Sequence, residues 1–343
     1  MVVFIFVALL QTLSKYGAKC INSSILLDII FGMVYNVYVL TLKGLLMEYR
    51  DYIIVTDSTT DMGADYYKEN NIPYVALHYI MDDKEYVQYA EDGIDIKTFY
   101  DKVRNGSMPK TSQASYEDLF NTFEEIVKDG KNILYLSFSA ALSGSYHTST
   151  IVAGDIMEKY PERKVICVDS AAACGGEGLL LDMCIRKYND GYSLEKLVSY
   201  AEETKYKIAH FVVADDLNHL HRGGRVSKVS AVVGGMLGIK PLIHVNNDGK
   251  LIPYGKMRGR KAAIESIAKQ MKKKYIPGAN EEIFINHADC LEDAEYLGNY
   301  VKKLMPDVKR VRYGDIGAVI GSHTGAGTLA IFFVADNRDP VAL

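Results

Sequence analysis

The run Tyr52-Ile53-Ile54-Val55, followed by Thr56-Asp57-Ser58-Thr59-Thr60-Asp61, is a short apolar stretch that ends in a loop rich in hydroxyls and carboxylates. The same unit recurs at Ile133–Leu136 and at Val165–Val168, and a helical pattern follows each loop. Short apolar strands that alternate with helices predict an open parallel sheet. Ligands bind such sheets at the carboxyl ends of the strands, so we expect these polar loops to share one site.

The second half of the chain has a different pattern of predicted strands. Two strand-like runs, Lys240–Val245 and Leu251–Tyr254, are separated by Asn246-Asn247-Asp248-Gly249, which is typical of an antiparallel hairpin. A chain of 343 residues also exceeds the usual size of a single core. We therefore predict an α/β protein of two domains with a ligand site between them. Residues 47–205 form an open parallel sheet with flanking helices, and residues 206–343 form an α+β domain with a mainly antiparallel sheet.

The most informative loop is Gly321-Ser322-His323-Thr324-Gly325-Ala326-Gly327-Thr328, hereafter the His323 loop. It lies between the apolar runs Ala318–Ile320 and Leu329–Val334, a pattern that predicts two buried strands joined by a glycine-rich turn. Glycines let backbone N–H groups approach an anion, and the histidine and hydroxyls can hydrogen-bond an oxyanion. Together with the hydroxyl-rich loops Ser139–Ser145 and Thr111–Ser115, it predicts a site for a small acidic group; the plainer interpretation of any one loop is an ordinary turn.

Composition argues against several classes of function. The formal net charge of −4 disfavours a general nucleic-acid binder, which is normally basic. The chain has no GxxxxGK[ST] loop, which weakens a nucleotide-binding interpretation. An odd, dispersed set of cysteines without CxxC spacing favours reduced thiols in a cytoplasmic protein. These cysteines are Cys20, Cys167, Cys174, Cys184 and Cys290.

The first 46 residues differ from the rest of the chain, since Met1–Leu10 and Ile25–Leu46 are largely apolar. A secretory signal is disfavoured because no early positive charge is present. A transmembrane helix over the second run would carry the costly Asp28 near its start. The stretch Lys43-Gly44-Leu45-Leu46-Met47 is what in-frame translation of a purine-rich ribosome-binding site gives just before a start codon. We expect Met47 to be the true start and residues 1–46 to be a misannotated extension; a membrane anchor and a soluble extension are the alternatives.

Seven motifs occur in one order along the chain, and together they resemble the DegV family. They are Val55-Thr56-Asp57-Ser58-Thr59, Thr111-Ser112-Gln113-Ala114-Ser115, Leu142-Ser143-Gly144-Ser145-Tyr146, Val168-Asp169-Ser170, Gly223-Gly224-Arg225-Val226-Ser227, Gly238-Ile239-Lys240-Pro241-Leu242 and the His323 loop. Each motif alone is weak, whereas seven in order are specific. The resemblance extends from Met47 to about Phe333. The best-understood members of this family are the fatty-acid-binding subunits (FakB) of bacterial fatty acid kinase.

The resemblance implies a lipid-binding protein that buries a long-chain fatty acid between its domains, with no cofactor, no metal and no catalysis of its own. The carboxylate would be held by Thr111, Ser143 and His323. Because a carboxylate favours the charged form of a nearby histidine, His323 is expected to help neutralise the ligand. The supporting loop residues would be Ser112, Asp57, Ser58, Gly144, Gly325 and Gly327.

The resemblance also implies partners. A separate ATP-binding subunit of fatty acid kinase would phosphorylate the bound acid to an acyl phosphate for phospholipid metabolism. That kinase would dock at Arg258, with Arg260 as a close rival. A peripheral encounter with a membrane for lipid exchange is compatible with this role, and no nucleic-acid partner is expected.

Three positions depart from the pattern of the family. Alanine occupies positions 114 and 326, where proline is usual, and Ser145 replaces the usual threonine. These residues leave the hydroxyl and histidine chemistry intact. Because proline presets the backbone angle φ, we expect the two loops that carry alanine to be less rigid than in relatives that carry proline.

Other functions compete for the same residues. The main alternative is a hydrolase or small-molecule transferase with Ser143 as nucleophile and His323 as base, although the serine lacks the GxSxG pattern of a nucleophile elbow. Asp57, Asp61 and Asp169 at strand ends are metal-ligand types, but helix capping is a common role for aspartate. We expect the remaining histidines of this region to be structural or exposed, namely His210, His219 and His221.

Overall fold

The computed structural model describes residues 50–215, 217–226 and 238–342. The extension predicted over residues 1–46 lies outside them, as does all but the first residue of a helix that the sequence pattern predicts over Val226–Leu237. The strands are β1 (Tyr52–Asp57), β2 (Tyr74–Val75), β3 (His78–Met81), β4 (Lys84–Val87), β5 (Lys110–Thr111), β6 (Asn132–Ser137), β7 (Val165–Asp169), β8 (Ile208–Val213), β9 (Ile239–Val245), β10 (Leu251–Arg258), β11 (Glu282–His287), β12 (Arg310–Asp315) and β13 (Leu329–Val334).

The α-helices include both long amphipathic helices and short ones of a few residues. They are α1 (Ala64–Glu69), α2 (Ile96–Arg104), α3 (Tyr116–Lys128), α4 (Ser145–Lys159), α5 (Gly175–Asn189), α6 (Leu194–Thr204), α7 (Asn218–Arg222), α8 (Arg260–Lys274), α9 (Leu291–Leu304) and α10 (Ala318–Thr324). Two 3-10 turns lie at Ser58–Thr60 and Lys205–Lys207. Within the described ranges, no helix combines the length and apolar character needed to cross a bilayer.

Four parallel strands form the N-terminal sheet, in the order β2-β1-β6-β7. The strands are nearly continuous apolar runs, as expected where helices cover both faces of a parallel sheet. Helix α3 packs Leu119, Phe123 and Ile126 into the core from one face. The predicted parallel sheet is therefore confirmed, and the polar loops after β1, β6 and β7 lie at its carboxyl edge.

The C-terminal sheet has six strands in the order β10-β9-β8-β13-β11-β12. Neighbouring strands are antiparallel except β11 and β12, so the predicted mainly antiparallel sheet is confirmed. The hairpin turn is also confirmed, because the Gly249 N–H donates to Asn246 O at 3.0 Å between β9 and β10. Asp51–Leu343 form one compact unit, and the domain boundary after residue 205 stays a prediction. A small antiparallel sheet, β4-β3-β5, was not predicted.

The strand predicted over Ala318–Ile320 is wrong, because these residues begin helix α10. Three consecutive apolar residues carry no periodicity, so the pattern cannot distinguish a strand from a buried helix. The helix packs closely on α2, because a Cβ at Gly321 would lie 2.4 Å from the Tyr100 hydroxyl oxygen. His323 therefore lies in the last turn of a helix, which ends at Gly325 with a φ of 76°.

Helix α5 begins with Gly175-Gly176-Glu177-Gly178 and approaches the C-terminal sheet very closely. A Cβ on Gly175 would lie 2.2 Å from Asn286 Oδ1 on β11. A Cβ on Gly176 would lie 2.0 Å from His210 Nε2 on β8. Both distances are far below a normal van der Waals contact, so this turn of the helix has room only for glycine.

We expect Gly176→Ala to lower the free energy of unfolding by about 1–3 kcal/mol, the usual cost of adding a group to a packed core. Gly154→Ala in α4 is the control, because a Cβ there meets nothing within 4 Å. That change should be neutral or should stabilise the protein by up to about 1 kcal/mol. Urea unfolding followed by circular dichroism measures both, and equal losses in the two variants would contradict a tight approach at Gly176.

Candidate functional site

A pocket with about 900 Å³ of empty volume lies between the two large sheets. Helix α10 and strands β8, β9 and β13 contribute walls, together with loops from the N-terminal half of the chain. Its apolar lining is formed by Leu77, Phe138, Leu142, Ala173, Val212, Ala214, Leu220, Ile243, Val245, Leu251, Ile316, Val319, Ile320, Ala330 and Phe332.

The three predicted carboxylate anchors, Thr111, Ser143 and His323, all line this pocket and are all half-buried. Thr111 Oγ1 and His323 Nε2 are 2.7 Å apart and share a hydrogen bond. Ser143 Oγ lies 3.0 Å from Ser145 Oγ and accepts a bond from the Ser145 N–H at 3.2 Å. The fold thus brings together residues that are 212 positions apart, and it leaves one end of the pocket polar.

A second glycine approach positions His323. A Cβ on Gly223 would lie 2.3 Å from His323 Nδ1, so the imidazole can pack there only against a glycine. That nitrogen is buried and has no hydrogen-bond partner among the described residues. The ring is therefore held by Thr111 on one side and by the Gly223 backbone on the other.

Arg225 also lines the pocket, and it is a site residue that the sequence interpretation did not assign. Its Nε donates to Leu142 O at 3.0 Å, and its guanidinium also donates to Gly223 O. These bonds to backbone oxygens leave the positive charge without a carboxylate partner among the described residues. The available signal was the arginine directly after the Gly223-Gly224 pair, since a buried anion needs a positive charge nearby.

The positive charge at the polar end of the pocket is on Arg225 and not on His323. Burial, and then the positive charge of Arg225, lower the pKa of His323 to about 4. The imidazole of His323 is therefore neutral at neutral pH. Arginine stays charged because its ordinary pKa is very high, although burial lowers the pKa of Arg225. The charged His323 that the sequence suggested is absent before a ligand binds.

The loops that carry Thr111 and Ser143 are tied to each other. The Ala114 N–H donates to Ser145 Oγ at 3.0 Å, and Gln113 Nε2 donates to Thr148 Oγ1 at 2.7 Å. Proline has no N–H, so the bond from position 114 depends on the residue being other than proline. This contact restrains the loop at the position where the missing proline predicts lower rigidity.

The predicted supporting residues occupy different places. Ser112 lines the pocket directly. Asp57 is buried behind it, where Oδ1 accepts from the Thr59 N–H at 2.9 Å and caps the 3-10 turn. Ser58 Oγ accepts from the Leu77 N–H at 2.9 Å. The glycines are near the site but outside its lining: Gly144 precedes α4, and Gly325 and Gly327 follow α10.

Metal binding finds no support in the described part of the chain, which contains no cluster of three His, Cys, Asp or Glu side chains placed to hold an ion. Asp57 caps a turn, as expected. Asp169 does not cap a helix: its Oδ1 accepts from the N–H groups of Ala140 and Ala171 at 3.1 and 2.8 Å. Burial raises the pKa of Asp61 to about 7, so this carboxyl is partly protonated at neutral pH.

The fold and pocket define a class of two-sheet α/β proteins with a mainly apolar pocket between the sheets. The family model described as "Uncharacterised protein, DegV family" matches residues 52–336. A DegV domain-containing protein of Clostridium perfringens is 41% identical over 291 residues, which cover 85% of this chain and 100% of that protein. Another from Streptococcus pyogenes serotype M3 is 32% identical over 83% of this chain and 99% of its own length. The chain belongs to the DegV family.

Solved structures with this fold include proteins described as binding fatty acids. A DegV family protein from Thermus thermophilus, which is described as binding fatty acid, has a TM-score of 0.74 at 27% identity. The match covers 83% of this chain and 99% of that chain. DegV of Bacillus subtilis, described as a fatty acid binding protein, has a TM-score of 0.71 at 26% identity, over 84% and 100%. A stearic-acid-binding protein from Eubacterium ventriosum has a TM-score of 0.74 at 26% identity, over 82% and 98%.

We expect His323 to stay neutral at neutral pH in the ligand-free protein, because its pKa is lowered to about 4. Arg225→Gln should raise that pKa by removing a like charge, but not to the ordinary value, since burial is the larger cause. The chemical shifts of the ring nitrogens in an NMR pH titration give the pKa of His323 in the wild type and in the variant. Arg163→Gln is the control, because Arg163 bonds Gly130 O outside the pocket. A His323 pKa that is equal in all three proteins would contradict an effect of Arg225.

The lowered pKa of His323 also predicts how the stability of the fold changes with pH. The folded pKa of His323 lies below its ordinary value of 6.5, so the unfolded chain binds the proton more readily. The contribution of this group to stability is therefore present above pH 6.5 and is lost as pH falls toward 4.

Proposed function

We propose that the protein binds a long-chain fatty acid in this pocket, with the carboxylate at the end that carries Thr111, Ser143, Arg225 and His323. The observation that carries the proposal is a mainly apolar pocket with hydroxyl, imidazole and guanidinium groups at one end. The fatty acid binding of solved relatives at 26–27% identity supports it.

The polar end suits a carboxylate on energetic grounds. A buried carboxylate is costly unless it is hydrogen-bonded and paired with a positive charge. Thr111 and Ser143 offer hydroxyl donors, and Arg225 offers the charge. Thr111 and His323 bond each other at 2.7 Å. An entering carboxylate would replace that bond with one to its own oxygens.

The apolar walls would supply most of the affinity. Burying one methylene is worth about 0.8 kcal/mol, so an acyl chain of about 16 carbons gains far more from the walls than from any single anchor. We therefore expect substitutions at the polar end to weaken binding without abolishing it.

The geometry favours binding over the alternative of a Ser143–His323 hydrolase. A nucleophilic serine needs a hydrogen bond to its base, and the base needs an orienting partner on its other nitrogen. Here Ser143 bonds Ser145, while His323 Nε2 bonds Thr111. His323 Nδ1 has no partner in the described ranges. We therefore infer that the protein has no catalysis of its own.

We expect Thr111→Ala, Ser143→Ala and Arg225→Gln each to weaken fatty acid binding. A hydrogen bond to a charged group is worth about 1.5–3 kcal/mol, or roughly ten- to hundredfold in affinity, and the loss should be largest for Arg225→Gln. Native mass spectrometry detects retained lipid, and titration with palmitate gives Kd. Thr122→Ala is the control, because its half-buried hydroxyl bonds Asp118 O outside the pocket. Wild-type protein that retains no fatty acid and does not bind palmitate would overturn the proposal.

We further propose that a separate ATP-dependent kinase phosphorylates the bound acid, and that it docks near the end of β10. Arg258 is exposed there and makes no ion pair within the described residues. Arg260 is engaged instead, with Nε 2.8 Å from Asp293 and NH1 3.4 Å from Asp215. Arg258 is therefore the better candidate for contact with a partner. A peripheral encounter with a bilayer would supply the acid.

We expect Arg258→Ala to reduce acyl-phosphate formation in the presence of ATP and the ATP-binding subunit of a bacterial fatty acid kinase, while retained lipid stays unchanged. Arg260→Ala should lower thermal stability, unlike Arg258→Ala, because it removes the ion pair with Asp293. ADP release, native mass spectrometry and a thermal melt measure the three effects, with Lys302→Ala on α9 as an exposed control. Lipid loss with intact kinase coupling in Arg258→Ala would contradict this division of roles.

A further inference from the structure

The strand register orders the pocket residues by depth. Alternate residues of a strand share one face, and β8 faces the pocket with His210, Val212 and Ala214. On the neighbouring β13, Ala330 lies opposite Val212, and Phe332 lies opposite His210. The pocket side of the sheet therefore has three successive rows of side chains. The first is at Ala214, the second pairs Val212 with Ala330, and the third pairs His210 with Phe332.

The row at Ala214 lies at the polar end. Thr328, one position before β13, adjoins this row and donates to Thr324 O at 2.9 Å, next to His323. The row at His210 lies four residues further along the strand, roughly 13 Å away at the rise of an antiparallel strand. The pair of His210 and Phe332 is thus at the far end of the pocket from the predicted carboxylate anchors.

A rigid wall closes this far end. The rings of His210 and Phe332 meet edge to face, with centroids 5.2 Å apart and planes at 89°, and each residue is 1% exposed. The first turn of α5 presses on both from behind. A Cβ on Gly176 would lie 2.0 Å from the imidazole, and one on Gly175 would lie 2.9 Å from the phenyl ring. Neither ring can retreat when a ligand fills the pocket.

The wall offers no free polar atom to a ligand. His210 Nδ1 donates to Ile208 O at 2.9 Å, and Nε2 accepts from the Ala173 N–H at 3.3 Å. Both ring nitrogens are therefore satisfied by backbone groups, and the imidazole is neutral. Its partner Phe332 is apolar, so the surface of this ring pair is matched to a terminal methyl group and not to a hydroxyl or carboxyl group.

We propose that the His210–Phe332 ring pair is the stop that ends the acyl chain and sets which chain length binds best. This inference rests on the proposed function. Loss of ring volume at position 332 lengthens the pocket beyond the stop, and added volume one row nearer the anchors shortens it.

Phe332→Leu tests the stop, with Phe333→Leu as the matched control. Phe333 is the next residue on the same strand and is equally buried, but it lies on the opposite face and stacks on Phe211 with centroids 5.8 Å apart. Competition binding with saturated fatty acids that differ by two carbons gives the preferred length. We expect the optimum to move to longer chains in Phe332→Leu, with about fourfold tighter binding for each methylene newly buried, and to stay unchanged in Phe333→Leu.

Ala330→Leu tests the same idea in the opposite direction, and it keeps the proposal open to refutation if Phe332→Leu does not fold. Its added volume lies one row nearer the anchors, so the optimum should move to shorter chains. An unchanged optimum in the folded variants, with wild-type protein that binds fatty acid, would overturn the stop. Wild-type protein that binds none would overturn the proposed function itself, so the two failures are distinguishable.

Discussion

The approach of the first turn of α5 to the C-terminal sheet is the constraint on which the rest of the structure depends. This helix follows the last strand of the N-terminal sheet and packs on β8, β11 and β13 of the other sheet. Glycines at positions 175 and 176 allow the contact, because any side chain there would collide with Asn286 or His210. The spacing of the two sheets, and with it the width and closed end of the pocket, follows from that contact.

A second constraint is the need to hold a buried positive charge beside an apolar pocket. The guanidinium of Arg225 is held by carbonyl oxygens and retains its charge for an anion. His323 is neutral and bonds Thr111. This arrangement stores a positive charge next to an apolar pocket without a competing carboxylate from the described chain. It supports the proposal that this end of the pocket receives the carboxylate of the ligand.

Local sequence patterns predicted the elements with strong periodicity or clear turn chemistry. The apolar runs Tyr52–Val55, Ile133–Leu136 and Val165–Val168 lie within β1, β6 and β7 of the parallel sheet, as predicted. The β9–β10 hairpin followed from its Asn-Gly-rich turn. The short segments were missed or mistaken because they lack a period: the β3–β4 hairpin was not predicted, and the first turn of α10 was taken for a strand.

The sequence by itself determined the two kinds of sheet, the family resemblance and the residue types that can hold an acid. It did so because strand alternation, turn residues and motif order are local properties of the chain. Only the tertiary structure decided that Arg225 joins Thr111 and Ser143, that His323 is neutral, and where the pocket ends. These properties depend on burial and on distances between residues far apart in the chain, such as His210 and Phe332, and no local pattern encodes either quantity.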